Sequence, residues 1–109
     1  MNPVRNTIII QFTAVGAAEE WERLIQIEEV LIQAFSQNGH AKVDGHDFGN
    51  DTVNIFVFPR GSWDSAITII KAHLKHHNVL DEALIIRRLK SGRYNVAWPE
   101  KFDGDFERL

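Results

Sequence analysis

Hydrophobic residues recur with two different periods along this chain, and the order of those periods restricts the folds available to it. Residues 7–15 (TIIIQFTAV) are rich in β-branched and aromatic side chains and end at Gly16, which is typical of a β-strand. From Ala17 to Gln37 the hydrophobic residues instead recur at helical spacing, and Asn38-Gly39 follows as a helix stop signal. The first two predicted elements are therefore a strand and a long amphipathic helix.

The rest of the chain continues this alternation. The predicted elements are a short irregular strand at 41–49, a strand at 52–58, a helix at 63–77 with Ser62 as its N-cap, a strand at 83–90 and a further strand at 93–98. Right-handed crossovers on one sheet then give an α+β, ferredoxin-like βαββαβ sandwich. Its sheet is antiparallel, both helices cover the same face, and the last segment adds a possible extra C-terminal strand.

Length and composition predict one small domain, residues 1–109. A chain of 109 residues can build one hydrophobic core but is too short for two. No hydrophobic run approaches the roughly 20 residues of a membrane-spanning helix, and residues 1–6 lack the hydrophobic stretch of a signal peptide. The absence of cysteine excludes disulfides, thiolate metal sites and cysteine nucleophiles. These features predict a cytoplasmic, bacterial-type protein that does not contact a membrane.

One charged residue, Glu28, interrupts the hydrophobic face of the first predicted helix. On a helical wheel it lies between Leu24 and Leu31, close to the centre of a hydrophobic arc that also includes Ile25 and Ile32, with Ile27 just beyond it. A carboxylate in that position needs a hydrogen-bond partner, because burying an unpaired charge is costly. We expect that partner to be a glycine-containing turn at 44–49, whose backbone N–H groups would bond to the carboxylate.

The predicted turn supplies the other candidate binding residues, Asp44, His46 and Asp47. Two glycines within it permit a tight backbone with exposed N–H groups. His46 can donate a further hydrogen bond to Glu28, whereas Asp44 and Asp47 should point away from it, because three close carboxylates repel one another. The predicted binding site is therefore Glu28, Asp44, His46 and Asp47, acting either as a structural tie between helix and turn or with Glu28 as a functional acid.

A helical glutamate, a glycine-containing turn and a hydrophobic strand follow one another in this chain. They are the run Ile27-Glu28-Glu29-Val30-Leu31, the segment Gly39 to Gly49 with its Asp44-Gly45-His46-Asp47-Phe48-Gly49 turn, and the strand Val53 to Phe58. In this combination the chain resembles a group of small uncharacterised bacterial proteins with a helical Glu, an Asp-Gly-(His or Asn)-(Glu or Asp)-x-Gly turn and a following hydrophobic strand. The resemblance covers most of the chain and implies the ferredoxin-like fold, but it carries no established activity.

The histidines are the main candidates for metal ligands. His73 and His77 lie four residues apart on the second predicted helix and share a face, so a metal ion could bridge them. A third ligand would have to come from Asp44, His46 or Asp47, and no spacing fixes it. We therefore expect neither a bound metal nor another cofactor, and we expect zinc to bind weakly or not at all.

Nucleic-acid binding and catalysis are both disfavoured by the sequence. Phe56 and Phe58 occupy a central strand where RNA-binding folds place stacking aromatic residues, and a basic run lies at 87–93. However, the net charge is −3 and the isoelectric point is near 5.9, which is far from the basic character of such domains. The Asp47-Phe48-Gly49 tripeptide matches a kinase motif, but nothing else in so short a chain supports a kinase. We therefore predict that the protein is not an enzyme.

The predicted function is protein binding without catalysis. Two helices cover only one face of a four-stranded sheet, and Ile9, Phe56 and Phe58 can leave a hydrophobic patch on the other. We expect a regulatory or interaction domain that forms a homodimer through that face, or through the hairpin edge near Tyr94 and Trp98.

A second interpretation is a small-molecule or metal-binding domain. In that case Glu28, His46 and Asp47 would be polar groups that converge on one pocket. An open hydrophobic sheet face favours the first function, whereas a pocket lined by these three side chains favours the second.

Overall fold

The computed structural model describes residues 5–13, 18–49 and 51–100, so the predicted strand end at 14–15 and helix start at Ala17 lie outside the described residues. The helices are α1 (Ala18–Asn38) and α2 (Trp63–His76), with a short 3-10 helix at Leu80–Glu82, and the strands are β1 (Thr7–Thr13), β2 (Ala41–Gly49), β3 (Thr52–Pro59), β4 (Ala83–Arg88) and β5 (Tyr94–Trp98). Within these ranges the five strands form one antiparallel sheet in the order β2-β3-β1-β4-β5.

The order of elements confirms the predicted α+β, ferredoxin-like βαββαβ fold with an extra C-terminal strand. β1 lies between β3 and β4 in the middle of the sheet, and β5 extends the sheet beyond β4. Alternate residues of β1, namely Ile8, Ile10 and Phe12, share one buried cluster with side chains of both helices. Both helices therefore cover the same side of the sheet, which we call the helix face. None of the described helices is long and hydrophobic enough to cross a membrane.

α1 packs on the sheet with a side that is rotated about the helix axis relative to the predicted hydrophobic arc. Ile27, expected at the margin of the hydrophobic arc, is buried in the core with Leu24 and Leu31. Ile25 and Ile32, expected within that arc, are 42% and 45% exposed. Since α1 packs against β2, which is the edge strand of the described sheet, these two side chains lie at the margin of the area that the described strands cover.

β2 is a continuous edge strand, which corrects the prediction of a short strand and a turn at 44–49. It pairs with β3 throughout Ala41–Gly49, and a bulge between Val43 and Gly45 shifts the register by one residue. Gly45 adopts a φ of +148°, a backbone conformation that L side chains rarely take. Because of the bulge, Val43 and His46 both lie on the helix face, opposite buried residues of β3.

The sheet face opposite the helices is less exposed than the sequence suggests. Ile9 and Ile86 are paired neighbours on β1 and β4, and both are buried. Phe56 and Phe58 of β3 are half-buried, and the guanidinium of Arg5 lies 4.2 Å from the centre of the Phe58 ring in a cation–π contact. The centre of this face is therefore not an open hydrophobic patch.

Candidate functional site

Glu28 and His46 form a hydrogen-bonded pair between α1 and β2. Nδ1 of His46 lies 2.9 Å from one carboxylate oxygen of Glu28 and 3.0 Å from the other. The Glu28 side chain is 10% exposed and that of His46 is 31% exposed. A carboxylate that accepts from an Nδ1–H of the imidazole is the arrangement that satisfies both distances. The pair is a partly shielded, charge-assisted link between a helix and an edge strand.

The predicted contact between Glu28 and the segment 44–49 is confirmed. We expected backbone N–H groups of a turn with His46 as a further donor, and in the structure the side chain of His46 makes the contact. The reason is that residues 44–49 belong to a strand. The N–H groups of a strand lie in the plane of the sheet and point towards neighbouring strands, whereas side chains point towards the helix above.

Two aromatic rings cover the Glu28–His46 pair. The ring centres of Trp21 and Phe48 are 4.0 Å apart, and Phe48 also makes an edge contact with His46 at 5.2 Å. A cavity of about 10 Å³ remains beside the pair, between the aromatic rings and the core. That volume is about the size of one water molecule, so in this conformation the site has no room for a small-molecule ligand.

Asp47 and Asp44 lie away from this pair. Asp47 is on the opposite face of the sheet, where its carboxylate accepts a hydrogen bond of 3.1 Å from the side-chain amide of Asn54. Asn54 is buried and in turn accepts a hydrogen bond of 3.0 Å from Gln11. Asp44 is exposed at the bulge of β2. The predicted site is thus divided, because consecutive strand residues such as His46 and Asp47 point to opposite faces.

His73 and His77, the candidate metal ligands of the second predicted helix, lie near its C-terminal end. His73 lies on α2 and is half-buried, whereas His77 follows the helix as its C-cap and is exposed. Within residues 5–13, 18–49 and 51–100, no three histidine, aspartate or glutamate side chains converge on one point. Glu28, His46 and Asp47 likewise do not line one pocket, as the ligand-binding interpretation requires.

Exposed hydrophobic side chains gather at one edge of the molecule. In the part of the chain that the structure describes, the exposed large hydrophobic residues are Ile25, Ile32 and Phe48, the last of which is 49% exposed. All three lie along α1 or on β2, whose outer edge has no neighbour among the described strands. We call the outer side of β2 together with these three side chains the α1–β2 edge.

This edge was not predicted from the sequence, although α1 carries a signal for it. Hydrophobic and shielded positions along the helix recur at alternating steps of four and three residues, which is the heptad spacing of helices that pack against other helices. Heptad-spaced positions along a helix form a stripe, and one sheet covers only part of such a stripe. The positions of this stripe are Trp21, Ile25, Glu28, Ile32 and Phe35.

A groove opens at the other end of the α1–β2 edge, between the last turns of α1 and the start of β2. It encloses about 360 Å³ and is lined by Ile32, Phe35, Ala41 and Val43, with Arg60 at its margin. Phe48 and this groove therefore lie near opposite ends of the same strand.

In comparisons with known proteins, the chain matches no family model, no curated protein and no solved structure. Its function is therefore inferred from the geometry of its own residues.

Proposed function

We propose that this chain is a non-enzymatic protein-interaction domain that acts as a homodimer through the α1–β2 edge. The observation that carries the proposal is the position of Ile25, Ile32 and Phe48 beside the side of a nine-residue strand that pairs with no other described strand. Exposed hydrophobic side chains next to free strand N–H and C=O groups are a typical setting for binding by strand addition. A second copy of the chain has the same exposed hydrophobic side chains and the same strand edge. Two copies related by a two-fold axis can therefore cover each other's hydrophobic side chains and pair their strand edges.

The surroundings of the Glu28–His46 pair support a structural role for that pair. Trp21 and Phe48 cover it and leave room for about one water molecule. A catalytic acid or base must lie within hydrogen-bond reach of a bound substrate, and this conformation offers no such space. The net charge of −3 also favours a protein partner over a nucleic acid. A cytoplasmic location and a bacterial source remain our expectations from the sequence.

Sedimentation velocity on the wild type and three variants tests this proposal. At about 100 μM, well above the μM dissociation constants of modest interfaces, the wild type should sediment as a dimer. Ile25→Glu should sediment as a monomer, because it places two charges in the contact while glutamate preserves helix propensity. Thr68→Glu is the matched control on the exposed side of α2 and should remain a dimer.

Two results would contradict the proposal. A wild-type monomer at this concentration would exclude the homodimer. Dissociation by Val96→Glu on β5, with Ile25→Glu still dimeric, would place the contact at the hairpin edge instead.

A further inference from the structure

Building on the proposed function, we propose a specific architecture for the dimer. The two copies pair their β2 strands in antiparallel orientation, with Lys42 of each copy opposite Asp47 of the other. In the same register, Phe48 of each copy enters the groove beside Ala41 of the other. The partner is thus a second copy of this chain, selected by both charge and shape.

The bulge in β2 sets which side chains share a face. Lys42 pairs with Phe58 of β3 and Asp47 pairs with Asn54, so both point away from the helices. Ala41, Val43, His46 and Phe48 oppose β3 residues on the helix face, and they are therefore the β2 side chains nearest to α1. The extra residue at the bulge reverses the alternation of faces along the strand. Before the bulge, residues 41 and 43 lie on the helix face, and after it residues 46 and 48 lie there.

This alternation restricts the register of a two-fold strand pair. Residues that face each other across an antiparallel pair must point to the same side of the combined sheet. Aligning residue 41 of one copy with residue 48 of the other pairs residues 41–48 of the two copies. On each side of the bulge, facing residues then point to the same side of the combined sheet. A shift by one residue would set side chains of the helix face against side chains of the opposite face.

The aligned pairs complement each other in charge. Lys42 and Asp47 are both exposed, carry opposite charges and lie on the same sheet face. Two-fold symmetry forms this ion pair twice in each dimer. Neither Lys42 nor Asp47 meets its own counterpart in this register, so each of them faces the opposite charge.

The aligned pairs also complement each other in shape. Phe48, which is 49% exposed, comes opposite Ala41, whose small side chain leaves the groove of about 360 Å³ open beside it. Ile32 and Phe35 line that groove and provide a hydrophobic surface for the incoming ring. The same symmetry brings the two α1 helices side by side, where Ile25 and Ile32 occupy heptad positions.

A charge-exchange experiment tests this architecture. Lys42→Asp and Asp47→Lys are prepared as separate proteins, and each should have a dimer dissociation constant raised by about tenfold or more, because like charges then face each other twice. An equimolar mixture should recover dimers close to wild-type affinity, and native mass spectrometry should find them almost entirely mixed. Lys75→Asp on the exposed side of α2 is the charge-matched control and should dimerise like the wild type.

The mixture also controls for folding, because a misfolded Asp47→Lys chain cannot restore a dimer. If wild type dimerises and Ile25→Glu separates it, but both charge variants dimerise normally, the register is wrong and the proposed function stands. If both variants are monomeric and their mixture also stays monomeric, Lys42 and Asp47 do not pair across the interface and the register is equally wrong. A monomeric wild type would overturn both proposals together.

Discussion

The contact between Glu28 and His46 ties α1 to the edge strand. The carboxylate is nearly buried among hydrophobic neighbours, and the imidazole is its hydrogen-bond donor at 2.9 Å. We predict that Glu28→Ala lowers the free energy of unfolding by about 2 kcal/mol, the range of hydrogen bonds to charged groups. Glu28→Gln should lose about half as much, because its side-chain carbonyl still accepts from Nδ1. Urea unfolding at one fixed, low protein concentration measures both changes.

A double-mutant cycle separates this contact from the packing of the glutamate side chain. Glu28→Ala in a His46→Ala background should cost roughly 1 kcal/mol less than in the wild type, because the hydrogen bond is already absent. Equal costs in both backgrounds would show that the pair contributes nothing to stability.

Among the elements, α2 has a well-defined start. The hydroxyl oxygen of Ser62 accepts hydrogen bonds from the backbone N–H groups of Asp64 and Ser65, at 3.1 and 3.3 Å. Ser62→Ala should therefore lower the free energy of unfolding by about 1 kcal/mol, since those two donors lose their acceptor. Ser36→Ala, at an exposed position of α1, should change it by no more than about 0.5 kcal/mol. Similar losses in both variants would contradict the capping role.

The element order was predictable because each element has its own local signal. Ser62 before a helical repeat and Pro59 at the end of a hydrophobic strand mark their boundaries without reference to the rest of the chain. β2 was harder to predict, since glycines at 45 and 49 indicate a turn when read locally. Pairing with β3 supplies the hydrogen bonds that hold this segment as a strand, and the bulge accommodates Gly45. That pairing is a tertiary effect.

The candidate site was predictable only in part, for a similar reason. A helical wheel identifies Glu28 as shielded, because the hydrophobic arc is wide enough to include it. A helical wheel gives no information about where the edge of the sheet lies. The position of that edge decides that Ile27 is buried while Ile25 is exposed. Charge repulsion alone predicted that Asp47 points away from Glu28, and strand alternation, which a predicted turn does not include, places His46 and Asp47 on opposite faces.

On the scale of the whole molecule, the two edges of the sheet differ. β2 is nine residues long and lies beside exposed hydrophobic side chains, whereas β5 has five residues. Trp98 of β5 packs inward, donating a hydrogen bond of 3.1 Å to the backbone carbonyl of Leu80, with the ammonium of Lys71 4.4 Å from the centre of its ring. A short edge strand whose large side chain is already engaged is a poor template for pairing, which supports our proposal that association uses β2.

Amide hydrogen exchange at two protein concentrations tests this central claim directly. In a monomer, the outward N–H groups of β2 face solvent, and in the proposed dimer they are bonded to the second copy. Raising the concentration from well below to well above the dimer dissociation constant should therefore slow exchange in residues 41–49. Exchange in residues 94–98 of β5 should stay unchanged. Concentration-independent exchange in β2, or slowing confined to β5, would contradict the α1–β2 edge as the surface through which this domain acts.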